Sequence, residues 1–304
     1  MKQNANPGCE STKGVFIGKV RANESICREH SRLIIEVRHF PPARPGQFLQ
    51  ILCADPDQPV GTAGVLVRRP FSIGGLERSG DECRLHVLLR TVGRGSRYLA
   101  DLQPGSRVSV LGPQGRPFGI MQDRPIAYLV GGGVGLPPLI WLAEFLHQAG
   151  KQVVAFCGSR SGDLLPLAQR PDVKLNPSEP TLACQEFARF DIPSLVSTDD
   201  GSLGARGVIP DHFAAYLNHH SSQNRQACVY SCGPDRMMHA VADICQKRDI
   251  PCQVSLERVM ACGMGTCQSC VVQIRNASDA EGWTYKLCCT DGPVFDSQEV
   301  IWER

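Results

Sequence analysis

The sequence lacks any apolar run of the roughly 20 residues that a membrane-spanning helix needs, so no membrane partner is expected. Its start, MKQNANPGCESTKG, is polar and carries no apolar segment of the kind that marks a secretory signal. The formal charge is only +2 and the arginines are scattered, which leaves no electrostatic footprint for nucleic acid. No internal repeat or low-complexity tract stands out. Histidines and carboxylates form no acid–base pair or triad, and His86, His147 and His239 stand alone, as packing or surface residues do. These absences leave a cytoplasmic chain whose chemistry rests on something other than acid–base side chains.

What is present is mostly cysteine, glycine and proline. Fifteen cysteines without a secretory signal are expected as thiols or metal ligands in a reducing compartment. Cys9, Cys27, Cys53, Cys83, Cys157, Cys184, Cys228, Cys245 and Cys252 are singly spaced and read as small buried or neutral surface residues. Thirty glycines and 22 prolines imply many turns, and 304 residues with 42% apolar content suffice for two or three domains.

The pattern changes twice along the chain. Residues 1–12 read as an unstructured leader. Residues 13–120 hold short Val-, Ile-, Leu- and Phe-rich segments broken by Pro and Gly, which predicts a small barrel with one helix near Ser96–Leu102. Residues 121–254 alternate apolar strands with helical patterns, which predicts a parallel sheet covered by helices on both faces. Residues 255–304 are a short cysteine-rich module. The expected fold class is thus a β barrel plus α/β: a Greek-key barrel, a parallel-sheet nucleotide domain and a small C-terminal metal module.

That module carries the most specific signal. Cys262, Cys267 and Cys270 stand as C-x4-C-x2-C, and Cys288-Cys289 follow. Three thiolates at this spacing plus a distant fourth ligate a plant-type 2Fe-2S cluster. Gly263 and Gly265 would let backbone approach the inorganic sulfides. Zinc favours two C-x2-C pairs, and only Cys267 and Cys270 form one here. Cys288 and Cys289 are adjacent, so only one of them readily serves as the fourth ligand.

Two further motifs suit nucleotides. Arg68-Arg69-Pro70-Phe71-Ser72-Ile73 offers guanidinium groups to a pyrophosphate and Ser72 to a flavin edge. Leu88-Leu89-Arg90 ends a later strand, and Gly93-Arg94-Gly95-Ser96 opens a helix whose free N–H groups suit phosphate. In the second domain Gly131-Gly132-Gly133-Val134-Gly135 joins a strand to a helix. The loop departs from G-x-G-x-x-G, and no acidic residue marks the end of the next strand. Tyr230-Ser231-Cys232-Gly233-Pro234 ends the last apolar strand, where a small thiol would pack on a nicotinamide ring. Gly158-Ser159-Arg160-Ser161 is placed to hold an adenosine ribose or its phosphate.

Taken together and in this order, Arg69-Pro70-Phe71-Ser72, Gly131–Gly135 and Cys232-Gly233-Pro234 resemble the ferredoxin–NADP reductase superfamily. Glu257, the three-cysteine loop and Asp291-Gly292-Pro293-Val294-Phe295 narrow the resemblance to the electron-transfer subunits of class 1B dihydroorotate dehydrogenases. Thr198-Asp199-Asp200-Gly201-Ser202 and Gly204 also fit that pattern. The resemblance covers roughly residues 13–302. It implies FAD in the barrel, NAD in the second domain and a heterotetramer of two copies each with a catalytic FMN-containing subunit. Electrons would pass from dihydroorotate through the partner's FMN, the cluster and FAD to NAD+. It places FAD contacts on Arg69, Pro70, Phe71, Ser72, Leu88, Leu89, Arg90, Gly95 and Ser96, with Ser96 standing where the family more often has Thr. Nucleotide contacts fall on Gly131, Gly132, Gly133, Gly135, Cys232, Gly233 and Pro234, with Cys232 against the nicotinamide. The fourth cluster ligand is implied to be Cys289, two residues before Asp-Gly-Pro, although Cys288 replaces the family's usual aliphatic residue. Sulfhydrogenase gamma subunits and the small subunit of NADH-dependent ferredoxin:NADP reductases share this layout. A zinc- or thiol-based sensor without turnover is the non-enzyme alternative.

Overall fold

The computed structural model describes residues 13–58, 65 and 67–302, so the expected leader at 1–12 lies outside the described residues. The first sheet contains β1 (Gly14–Cys27), β2 (His30–Arg38), β3 (Phe48–Ile51), β4 (Arg69–Ser72), β5 (Gly75–Ser79), β6 (Glu82–Arg90) and β7 (Arg107–Gln114). Alternation drives it: β2 buries Leu33, Ile35 and Val37, and β6 buries Cys83, Leu85, Val87 and Leu89. All pairings are antiparallel, in the order β4-β3-β7-β1-β2-β6-β5. The return of β7 to lie between β1 and β3 is of Greek-key type. The Gly74 N–H donates to the His86 carbonyl at 2.8 Å, which draws the β4 end of the sheet towards β6 and rolls it into a half-barrel. The one helix, α1 (Arg94–Ala100), starts two residues before its expected position.

The second sheet is built from β8 (Ile126–Gly132), β9 (Gln152–Ser159), β10 (Ser194–Thr198), β11 (Ala205–Arg206), β12 (Ala227–Cys232) and β13 (Cys252–Ser255), all mutually parallel. Helices α2 (Leu136–Gln148), α3 (Gln185–Ala188), α4 (Ile209–His219) and α5 (Asp235–Gln246) connect them. The order β11-β10-β9-β8-β12-β13 reverses direction between β8 and β12. Ligand crevices open at the strand C-termini beside such a switch point. Pro137 and Pro138 lie in the first turn of α2, where a missing N–H costs nothing. Leu139, Leu142, Ala143 and Leu146 turn to the sheet, whereas Trp141 packs into the barrel core. Burial of one such side chain stabilises the join by roughly 1.5–3 kcal/mol.

The C-terminal segment forms a hairpin of β14 (Val271–Arg275) and β15 (Trp283–Leu287), then β16 (Val294–Asp296). β16 pairs antiparallel with β13 and completes the second sheet as its seventh strand. One apolar cluster accordingly joins Phe48 of the half-barrel, the β8 and β12 strands, and Cys270, Cys288, Cys289 and Phe295. No helix among the described residues is long and apolar enough to cross a membrane, and every cysteine among them is an unpaired thiol.

Candidate flavin, nucleotide and iron–sulfur site

The four thiols of the expected cluster ligand set meet as two pairs. The Met264 and Cys267 N–H groups each donate to Cys262 Sγ at 3.4 Å, which ties Cys267 to Cys262. The Ser269 hydroxyl lies 3.2 Å from Cys267 Sγ, and its hydrogen bond leads the effects that lower the Cys267 thiol to about 6. Cys289 is brought beside Cys270, where the Cys288 N–H donates to the Cys270 carbonyl at 2.9 Å and Gly265 packs on Thr290. Burial, followed by the Cys270 thiol, pushes Cys289 up to about 12 as a free thiol. Cys288 Sγ turns the other way, to the Leu256 carbonyl at 3.5 Å, and is 0% exposed. Among the described residues no three His, Cys, Asp or Glu side chains converge on one point. A 2Fe-2S cluster takes four thiolates over its two irons.

The loop backbone suits a cluster as well. Gly263 and Gly265 have φ of +73° and +90°, in the left-handed region that glycine enters without strain. At Gly263 a β-carbon would lie 2.5 Å from Gln50 Cγ, so the loop is pressed against the half-barrel. Asp291 accepts from the Leu287 N–H at 2.8 Å, and the Leu256 N–H donates to Pro293. Arg258 bonds Asp235 at the start of α5 at 2.8 Å. The residues present therefore fit a 2Fe-2S cluster.

The two arginines of the flavin motif separate. Arg68 donates to the Ser109 carbonyl and hydroxyl, each at 2.8 Å, and to the Gln50 carbonyl at 3.3 Å, so its guanidinium ties β3 to β7. Arg69 is exposed, and its only hydrogen bonds among the described residues go to the Val67 and Arg68 carbonyls. Its side chain runs beside Gly95, whose β-carbon would stand 3.5 Å from Arg69 Cγ. The motif on β4 and the start of α1 thus meet at one place, as a pyrophosphate requires. The Ser96 hydroxyl accepts from the Val92 and Gly93 N–H groups at 3.0 and 3.1 Å and caps the helix. Leu89 is in the core, while Arg90 bonds Glu29 at 2.8 Å. Pro70, Phe71, Ser72 and Leu88 are half-buried or buried along β4 and β6. An available guanidinium beside a glycine helix start fits FAD.

The nucleotide motifs converge at the switch point. A β-carbon on Gly132 would lie 3.1 Å from Met237 Sδ and 3.5 Å from Pro234 Cδ, and one on Gly131 would strike Leu139. Gly133 faces open space, and Gly135 packs on Cys232. Gly233 contacts Gly132. Cys232 is buried, and that burial pushes its thiol up to about 12, so it presents a neutral apolar edge and not a nucleophile. A β-carbon on Gly74, next to the flavin motif, would meet Pro137 of α2 at 2.9 Å, so flavin and nucleotide motifs adjoin. Thr198–Gly204 is a tight turn after β10: the Thr198 hydroxyl bonds both the Leu203 N–H and carbonyl, at 3.0 and 2.9 Å. Gln50, on the cluster side of β3, had no signal in the sequence; only its place in the fold reveals it.

The family of the iron–sulfur cluster binding domain of dihydroorotate dehydrogenase B matches residues 257–301. The electron transfer subunit of dihydroorotate dehydrogenase B (NAD(+)) from Desulforamulus reducens is 32% identical over 86% of this chain and 88% of its own. The Streptococcus pneumoniae R6 subunit of the same name is 32% identical over 93% of this chain and 97% of its own. The solved NADH-dependent reduced ferredoxin-NADP oxidoreductase superposes with a TM-score of 0.72 at 26% identity, over 94% of this chain and 90% of that one. The chain belongs to the family of dihydroorotate dehydrogenase B electron transfer subunits.

Proposed function

We propose that this chain is the electron-transfer subunit of a class 1B dihydroorotate dehydrogenase, working in pyrimidine biosynthesis in the cytoplasm as a heterotetramer with two catalytic FMN-containing subunits. Dihydroorotate loses two electrons and two protons at the partner; NAD+ takes up both electrons and one proton here, and the other proton goes to solvent. When bound, the 2Fe-2S cluster supplies one-electron transfer and FAD converts single electrons into hydride.

The residues of this chain bind and orient. Cys262, Cys267, Cys270 and Cys289 are the cluster ligands, and the Met264 and Cys267 N–H groups lie where they stabilise charge on sulfur. Arg69 pairs with the FAD pyrophosphate and Gly95 leaves it room, while Pro70, Phe71, Ser72, Leu88, Leu89 and Arg90 line the flavin. Gly131, Gly132, Gly133 and Gly135 admit the NAD pyrophosphate, and Cys232, Gly233 and Pro234 form the floor under the nicotinamide. The domains assigned to these tasks are 13–120, 121–254 and 255–304.

The partner docks at the cluster module, where Val259 is 86%, Met264 57% and Tyr285 58% exposed. Large apolar side chains left exposed on one small module suit an interface. The observation that carries the reading is that Cys262, Cys267 and Cys270 share one loop pressed against the flavin half-barrel, while the segment holding Cys289 packs on that loop, the Cys288 N–H donating to the Cys270 carbonyl at 2.9 Å.

Co-expression with a catalytic FMN-containing subunit tests it. A complex containing FMN, FAD and iron that reduces NAD+ with dihydroorotate is expected. Activity that depends on ferredoxin and NADPH instead would overturn it in favour of the enzyme class of the solved oxidoreductase above.

A further inference from the structure

Gln50 is wholly buried, yet neither its amide nitrogen nor its carbonyl oxygen has a hydrogen-bond partner. An unpartnered buried carboxamide is costly and is seldom kept without a use. Its position is informative. On β3 its neighbours Leu49 and Ile51 point into the half-barrel core, while Phe48 points towards the module that carries the cysteines. Gln50 shares the Phe48 face by strand alternation. It is paired with Pro70 of the flavin motif. Its Nε2 would lie 2.7 Å from a β-carbon placed on Gly263, in the turn that follows Cys262.

We propose that Gln50 is a positioning residue of the electron path, its carboxamide donating an N–H···S hydrogen bond to the cluster held by the Cys262–Cys270 loop. This rests on the cluster assignment made above. Adding an electron to the cluster increases the negative charge on its sulfurs, and a donor fixed against them stabilises the reduced form. Gln50 therefore raises the cluster's potential relative to that of the flavin bound one strand away. Because it sits between Pro70 and Gly263, it also sets the seam through which the electron passes.

The test uses the full chain loaded with FAD and cluster, as wild type and as Gln50→Met and Gln50→Leu, which keep apolar bulk and remove the donor. The cluster midpoint is followed by EPR during a redox titration, and the FAD midpoint by absorbance. Expected is a fall in the cluster midpoint, with about a tenfold change in its reduced-to-oxidised ratio at fixed potential, or about 59 mV for one electron. The FAD midpoint stays in place. A shift confined to FAD, or no shift with full cluster content, overturns the proposal.

If both variants lose the cluster, pulsed EPR answers the question without touching Gln50. Exposed Gln268 is replaced by Met, and glutamine side chains carry nitrogen-15. One coupled side-chain nitrogen supports the proposal and none overturns it. A wild-type chain without any 2Fe-2S signal overturns the functional reading and this inference together, whereas a normal signal with an unmoved midpoint overturns this inference alone.

Discussion

A β-carbon placed on Gly135 would stand 2.2 Å from the Cys232 carbonyl oxygen. The glycine loop after β8 and the Cys-Gly-Pro turn after β12 are therefore in backbone contact, and the crevice between them depends on a missing side chain. Gly135→Ala must push the two apart. A displacement of about 1 Å near reacting groups costs roughly 100-fold in rate. The expected outcome is flavin reduction by NADH slowed by that order, with FAD and iron content unchanged, read by stopped-flow absorbance.

The adjacent thiols of Cys288 and Cys289 face opposite ways. Cys289→Ser is expected to lose the cluster, seen as lost iron and lost visible absorbance. Cys288→Ser is expected to keep it, because that thiol meets the Leu256 carbonyl in the core. The cost there is stability, about 1–3 kcal/mol for a buried hydroxyl with poor partners, measured by denaturant unfolding.

Arg69→Ala and Arg68→Ala should differ in kind. Removing the exposed Arg69 takes away charge-assisted bonds worth about 1.5–3 kcal/mol, which is roughly a 10- to 100-fold loss of FAD affinity. Removing Arg68 leaves Ser109 and the Gln50 carbonyl without this donor, so the melting temperature falls. Flavin titration beside thermal unfolding separates the two. Equal FAD loss in both would mean that the pyrophosphate partner is misassigned.

Val259→Glu puts a charge on the most exposed apolar side chain of the cluster module. The expected result is weaker association with the FMN subunit, seen by gel filtration of the co-expressed pair. FAD and cluster spectra stay as in the wild type, since Val259 points to water.

Stability should fall with acid on account of His30. Its Nδ1 is bonded to the Arg28 carbonyl at 2.8 Å and its Nε2 is buried without a partner. Burial, ahead of the neighbouring Arg90, lowers its pKa from 6.5. The unfolded chain therefore binds the proton more readily, and stability present above pH 6.5 is lost as pH falls through the lower folded value. The slope is at most about 1.4 kcal/mol per pH unit for one proton. His30→Gln should flatten the dependence of the melting temperature on pH in that window.

Much of this was legible without coordinates, because local chemistry wrote it. C-x4-C-x2-C, the glycines between strand and helix, and the alternating apolar strands each act within a few residues, and each appears where its spacing placed it. The short β5 was not legible, since Glu77, Arg78 and Ser79 are exposed and its pairing with β6 sets its conformation.

Choices between like neighbours, which the family resemblance made for Arg69 and Cys289, take their physical reason from the fold. Which of Arg68 and Arg69 stays available, and which of Cys288 and Cys289 faces the loop, depends on strands remote in sequence. The same holds for the seating of β16 on β13 and for Gln50 against Gly263, some two hundred residues further along the chain. The sequence by itself determined which cofactor chemistry the chain can hold, because ligand type and spacing are local. Tertiary structure alone decided which side chains are buried and which way they face, because both are set by long-range packing.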